Sequence, residues 1–268
     1  MNSAALAQVI RADALRLTAA ANASHVGSCL SIADILAVLY SGILRIRADA
    51  PSWPGRDRLI VSKGHAAAIV YAVLARVGFF PILDLASYTA DGSIFTGHVS
   101  HHVPGVEWST GSLGHGLPVG AGIALAQQRA QHEQRTVVLL SDGELDEGSN
   151  WEAILFAGHH KLRNLLAVVD ANGIQSFGRV SDVLELEPLP EKFRSFGWSI
   201  REVNGHDHAA LHDAFAPPPP GDDRPVVVLA RTVKGSGVSF MEHELRWHYR
   251  SASADELVAA LAEVEATP

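Results

Sequence analysis

Five short apolar runs, rich in β-branched residues, punctuate the chain: "RLIVS" (58–62), "TVVLLS" (136–141), "LLAVVD" (165–170), "WSIREV" (198–203) and "PVVVLAR" (225–231). Each is bounded by turn residues, which predicts strands. Most are continuously apolar rather than alternating, so both faces of the sheet are expected to be covered. Apolar positions at helical spacing fill 4–20, 65–77, 117–131, 149–160, 207–215 and 254–265, the last beginning after Ser253. Ser31, with Asp34 three residues on, reads as the N-cap of a helix running to about Tyr40. Strands alternating with helices predict an α/β fold: a doubly wound, mostly parallel sheet flanked by helices. No internal repeat interrupts this order. "APPPPGDD" (216–223) reads as a stiff surface connector, so 1–268 is expected to form one domain.

Ligands of such sheets bind beyond the carboxyl ends of the strands. Ser62-Lys63-Gly64-His65, Ser141-Asp142-Gly143 and Asp170-Ala171-Asn172-Gly173 all fall at strand ends and are expected to share one rim.

Composition narrows the possible partners. The 268 residues are 47% apolar and 19% charged, enough to bury a sizeable core. A net charge of −8 with scattered Lys and Arg argues against nucleic acid. A single cysteine, Cys29, forbids an intrachain disulfide and fits a reducing cytosol. The stretch 66–74 is too short to span a bilayer, and the N-terminus, with Arg11 and Asp13, reads as an amphipathic helix rather than a signal peptide. A cytoplasmic location without membrane contact is the expectation. Fourteen histidines are many, and several adjoin glycine: Gly64-His65, Gly97-His98, Gly114-His115, Gly158-His159, Gly205-His206.

The candidate chemistry begins at "VVLLSDGELDEG" (137–148), where Asp142, Glu144, Asp146 and Glu147 crowd together. Solvent, a cation or shared protons could offset their repulsion. Asp142 and Asn172 lie thirty residues apart, one βαβ unit. Oxygen donors at two strand ends suit Mg²⁺ or Ca²⁺, completed by water and phosphate oxygens. An acidic helix N-terminus ahead of 149–160 explains the same residues equally well. Glu144 and Asp146 read as solvated or capping residues.

"SDGELDEGSNWEAILFAGHHKLRNLLAVVDANGIQ" (141–175) closely resembles the thiamine diphosphate fingerprint, Gly-Asp-Gly followed about thirty residues on by Asn-Asn. "ANASHVGS" (21–28), "DRLIVSKGHAA" (57–67), "FTGHVSHHVPGVEWSTGSLGHG" (95–116) and "ARTVKGSGVSFMEHELRWH" (230–248) are similar, in order, to further transketolase segments. From about residue 5 to 262 the chain resembles the separate N-terminal, diphosphate-binding subunit of a split transketolase. Two positions depart from the pattern: Ser141 replaces the first glycine and Ala171 the first asparagine.

The resemblance implies that Asp142, Asn172 and the carbonyl of Ile174 hold Mg²⁺ or Ca²⁺, and that Gly143 donates its amide to the diphosphate. Gly111 would offer a carbonyl to the aminopyrimidine and Leu113 would pack on the bent cofactor. His25, His65 and His98 match the family's active-site histidines, His65 also meeting the diphosphate. His248 resembles a phosphate-side histidine. Glu147 would join carboxylates across a subunit interface, where close carboxylates share protons. The implied activity is transfer of a two-carbon ketol unit from a ketose to an aldose, on sugars or sugar phosphates. It requires a partner chain carrying the pyrimidine-binding domain, in an α₂β₂ heterotetramer. A related thiamine diphosphate subunit of a specialised pathway (acyloin formation or an unusual sugar) and a non-catalytic cofactor-binding subunit are the alternatives.

Overall fold

The computed structural model describes residues 1–266. Its strands are β1 (Arg58–Val61), β2 (Thr136–Ser141), β3 (Leu165–Ala171), β4 (Ile174–Gln175), β5 (Gly178–Arg179), β6 (Ser199–Asn204) and β7 (Val226–Arg231). Five form one sheet in the order β1-β2-β3-β7-β6, every neighbouring pair parallel. β4 and β5 make a small antiparallel hairpin just beyond β3. Ser141 pairs with Asp170 in the β2/β3 register, so the tips of these strands end level with one another.

The continuous apolar runs are explained by helices on both faces. Val137, Leu139, Val168 and Val228 pack against the helices Ser3–Ala20, Ala33–Val38, Ala67–Arg76 and His208–Ala214. Val138, Leu140, Val169 and Leu229 pack against Gly116–Arg129, Gly148–His159 and Leu189–Ser195. These strand residues are fully buried, and each such side chain contributes about 1.5–3 kcal/mol of transfer free energy. The edge strand β6 carries Arg201, Glu202 and Asn204 and is only partly buried, as an exposed edge requires. A third, smaller core joins Leu15 of the first helix to Val238, Met241, Trp247 and to Ala260 and Val264 of the helix Ala254–Ala266. Among the described residues no helix is long and apolar enough to cross a membrane.

One expectation fails near the N-terminus. Ser31 does not cap a helix; it ends the short helix Val26–Ser31, and its hydroxyl donates to Asp170 Oδ2 at 2.7 Å. The chain is helical from Val26, with a break at Ile32, and then winds as a π-turn over Leu39–Ile43. Leu189–Ser195 and the β4–β5 hairpin were too short to show a hydrophobic period. The 216–223 connector is, as expected, a largely exposed loop.

Candidate active site

The parallel order brings the tips of β1, β2, β3 and β7 to one rim. A cleft there is lined by His65, Leu113, Asp142, Gly143, Asn172, Ile174 and His248, all anticipated, by Lys63, expected at the rim without a role, and by Lys234, which was not expected there.

Asp142 is 5% exposed. Its carboxylate accepts the amides of Gly143 at 2.8 Å and Gly173 at 2.6 Å. Burial first, and the nearby charge of Asp170 second, push its pKa up to about 6. The Asn172 amide donates to Asp170 Oδ2 at 2.9 Å, which leaves its oxygen on the Ile174 N–H at 3.1 Å. Among the described residues no three His, Cys, Asp or Glu side chains converge on a metal position. The available donors are one carboxylate, one amide oxygen and one main-chain carbonyl, a hard-oxygen set suited to Mg²⁺ or Ca²⁺. An under-compensated buried carboxylate at this corner fits a cation. Gly143 is required by the protein itself: a Cβ there would lie 2.6 Å from that of Gln175. Its amide donates to Asp142, not outward as expected.

Below this corner lies a buried ionic layer. Asp170, fully buried, accepts from Lys63 Nζ at 2.6 Å, from Ser31 and Asn172, and from Thr232 Oγ1. Burial opposes its ionisation, but Lys63 and these hydroxyls hold its pKa below the usual range. Lys63 also donates to the Ser28 carbonyl at 3.1 Å. Lys234, 1% exposed, donates to the Ile174 carbonyl at 2.8 Å and to His248 Nδ1 at 2.9 Å. Burial, then Lys63, lowers its pKa to about 8. Each lysine follows directly on a strand-end turn, beside a glycine (Gly64, Gly235), and that position was the available signal.

The four anticipated histidines meet. His25 and His65 rings are 4.8 Å apart, His65 and His98 4.8 Å, His25 and His248 4.8 Å. Burial chiefly, with the neighbouring rings and lysines, lowers His25 and His248 to about 3 and His65 to about 4. They are therefore neutral hydrogen-bonding groups near pH 7. An ammonium can only donate, so His248 Nδ1 is an acceptor and its proton sits on Nε2. His25 is held at φ 72°, and its amide donates to the His248 carbonyl at 2.9 Å. A left-handed non-glycine residue costs on the order of 1–3 kcal/mol. Gly111 does not line the cleft but supports its wall: at φ 140°, any Cβ would stand 2.6 Å from the His98 ring.

The acidic turn divides into separate roles. Glu144 is fully buried, which corrects the solvated reading: its carboxylate accepts from Ser62 Oγ and from the Gly114 amide at 3.0 Å. Asp146 is partly buried and accepts from Gln175 Nε2 at 2.9 Å. Glu147 is exposed at the N-terminus of Gly148–His159, with no capping bond from its side chain.

The family profile described as transketolase, thiamine diphosphate binding domain, matches residues 2–264. The 6-deoxy-6-sulfo-D-fructose transketolase subunit SqwG of a Clostridium species is 37% identical over 260 residues, covering 97% of this chain and 94% of that one. An apulose-4-phosphate transketolase subunit of Actinobacillus succinogenes is 41% identical over 242 residues, covering 90% and 87%. Two solved structures, each aligned over 98% of this chain, are the transketolase of Campylobacter jejuni (TM-score 0.88, 29% identity) and a Pichia stipitis transketolase complex with sedoheptulose-7-phosphate (TM-score 0.92, 32% identity). This chain spans 42% and 40% of those two chains.

Proposed function

The chain belongs to the transketolase family, as its thiamine diphosphate-binding portion, and from that premise we propose that it is the diphosphate-side subunit of an enzyme moving a two-carbon ketol unit from a ketose to an aldose. The observation that carries this is the placement of Asp142 and Asn172 at adjoining strand tips, lining one cleft with Lys234 and His65.

Asp142, Asn172 and the Ile174 carbonyl would hold Mg²⁺ or Ca²⁺. Lys234, which donates to that same carbonyl, would hold the diphosphate with its ammonium. Lys63 and Lys234 supply the positive charge for it. When bound, thiamine diphosphate supplies the electron sink for the ketol carbons. The imidazoles of His25, His65 and His98 would donate to sugar hydroxyls and pass protons among them. Glu147, exposed at a helix start, would meet a carboxylate of a second chain.

The remainder of the site is proposed to lie on a partner carrying the pyrimidine-binding domain, in an α₂β₂ assembly in the cytoplasm. The cleft on this chain holds about 120 Å³, smaller than the roughly 300–1,000 Å³ of typical cofactor pockets, which supports a site completed by another subunit. A specialised sugar is favoured over a general one by the relatives named for 6-deoxy-6-sulfo-D-fructose and apulose-4-phosphate.

The test is a thermal-shift titration of the purified chain with thiamine diphosphate and Mg²⁺, followed by a ketol-transfer assay with and without a pyrimidine-domain chain. Cofactor-dependent stabilisation and partner-dependent turnover are expected. Robust turnover by this chain alone would contradict the assignment of a split site.

A further inference from the structure

The 232–237 loop after β7 separates two hollows. Lys234 faces the cofactor cleft, and Ser236 and Gly237 line a second hollow of about 330 Å³ on the far side. The second hollow also holds Arg11, Asp34, His206 and His208. No step of the proposed chemistry uses these groups, yet their hydrogen bonds lead back to the cleft.

The Val233 amide, one residue before Lys234, donates to His206 Nε2 at 2.9 Å. A backbone N–H can only donate, so Nε2 carries no proton. The ring proton must sit on Nδ1, which lies 2.7 Å from Asp34 Oδ2. Asp34 is itself fixed by Arg11 and by His208 Nε2 at 2.9 Å. Other ties of the loop reach toward the cleft, from Thr232 to Ala171 and Asp170 and from Gly235 to the Gly27 carbonyl, while the Gly237 amide donates to Glu242 and the Lys234 carbonyl accepts from the His243 amide. Lys234 is a buried ammonium, and desolvating such a group is costly enough that a loosened backbone would let it move out to water.

We propose that His206, oriented by Asp34, is a positioning residue that fixes the 232–237 loop and thereby holds Lys234 in the cofactor cleft. The name of the cleft's ligand rests on the function proposed above; the mechanical link does not.

Two substitutions divide the ring's two bonds. His206→Asn keeps a donor near the Nδ1 position for Asp34 but cannot reach the Val233 amide. His206→Gln places an acceptor near the Nε2 position. On the full chain without cofactor, acetylation of Lys234 and hydrogen exchange across 232–237 should quicken roughly tenfold in His206→Asn, the equivalent of losing one hydrogen bond. His206→Gln should stay near wild type. Affinity for thiamine diphosphate at saturating Mg²⁺ should fall by a similar factor in His206→Asn and fall no further when Lys234→Ala already is present. If the wild type binds no thiamine diphosphate while the labelling still divides the two variants, the function reading falls and the positioning role stands. If both variants behave alike, the positioning role is overturned. A measurement without any variant applies as well. The ¹⁵N spectrum of the wild-type histidines should show His206 as the Nδ1–H form, and a proton on Nε2 near neutral pH overturns the proposal.

Discussion

Lys234 Nζ and the carbonyl oxygen of Ile174 are 2.8 Å apart. A buried ammonium thus shares one of the three oxygens proposed for a divalent ion. Holding it there is costly, because its charge lies almost wholly out of water.

Lys234→Met should therefore leave the cofactor-free chain about as stable as the wild type, since loss of a costly buried charge offsets the stranding of the Ile174 carbonyl and His248 Nδ1. The same variant should weaken thiamine diphosphate binding. Paired thermal melts, with and without Mg²⁺ and cofactor, would show a nearly unchanged cofactor-free melt beside a diminished cofactor-dependent shift. A variant that melts lower in both conditions would show that the ammonium is chiefly structural.

Metal and cofactor binding should depend on the ionisation of Asp142. Its pKa is raised to about 6, so affinity should be full above that value and decline as pH falls through it. In the cofactor-free chain the sign reverses: a carboxyl with a raised folded pKa binds more protons folded than unfolded. The stability it contributes is present at low pH and lost as pH rises through about 6. Asp142→Asn should abolish metal-dependent cofactor binding and flatten this dependence. Calorimetric titration across pH 5 to 8 is the measurement, and a pH-independent wild-type affinity would remove Asp142 from the metal site.

The histidines push stability the other way. His25 and His248 are lowered to about 3 and His65 to about 4. Depressed folded values mean stability that is present above the unfolded histidine value, about 6.5, and is lost as pH falls toward 3–4. Three lowered histidines outweigh one raised aspartate, so the cofactor-free chain should weaken on acidification from neutrality. Urea unfolding at several pH values checks this, and His25→Gln should make the slope shallower.

Glu144 should matter to the fold rather than to the metal. It joins Ser62 beyond β1 to the loop at Gly114, and its own amide donates to Ser141 Oγ at 3.2 Å. Glu144→Ala strands these buried donors at a cost of about 1–3 kcal/mol, read as a lowered urea midpoint. Metal affinity per folded molecule should hold. A selective loss of metal binding with normal stability would reassign this carboxylate to the site.

Much of this was legible in the sequence for a physical reason. Strands buried on both faces announce themselves as apolar runs, and all five lie within one residue of the expected ranges at each end. The tips of β2 and β3 then place Asp142 and Asn172 by topology alone. What escaped depended on contacts distant along the chain. Glu144 looks like a solvated acid until Ser62, 82 residues away, closes over it. Ser31 has the composition of a cap, yet spends its hydroxyl on Asp170, 139 residues on. Lys63 and Lys234 were ordinary cations on paper, because a sequence does not show which lysines will be buried. Ser141, a departure from the family pattern, is accounted for: its hydroxyl caps the turn that a glycine would leave uncapped.

The segment 238–266 braces the site from behind. Trp247 is sealed in the small core shared by the first and last helices, and His248 follows it immediately into the imidazole cluster. The terminal helix therefore works as a backstop for the imidazole wall. Cutting a methyl group from Val264, or enlarging Ala260, would be felt as a misplaced imidazole many residues away. Damage at this outer seam would be mistaken for damage to the chemistry itself.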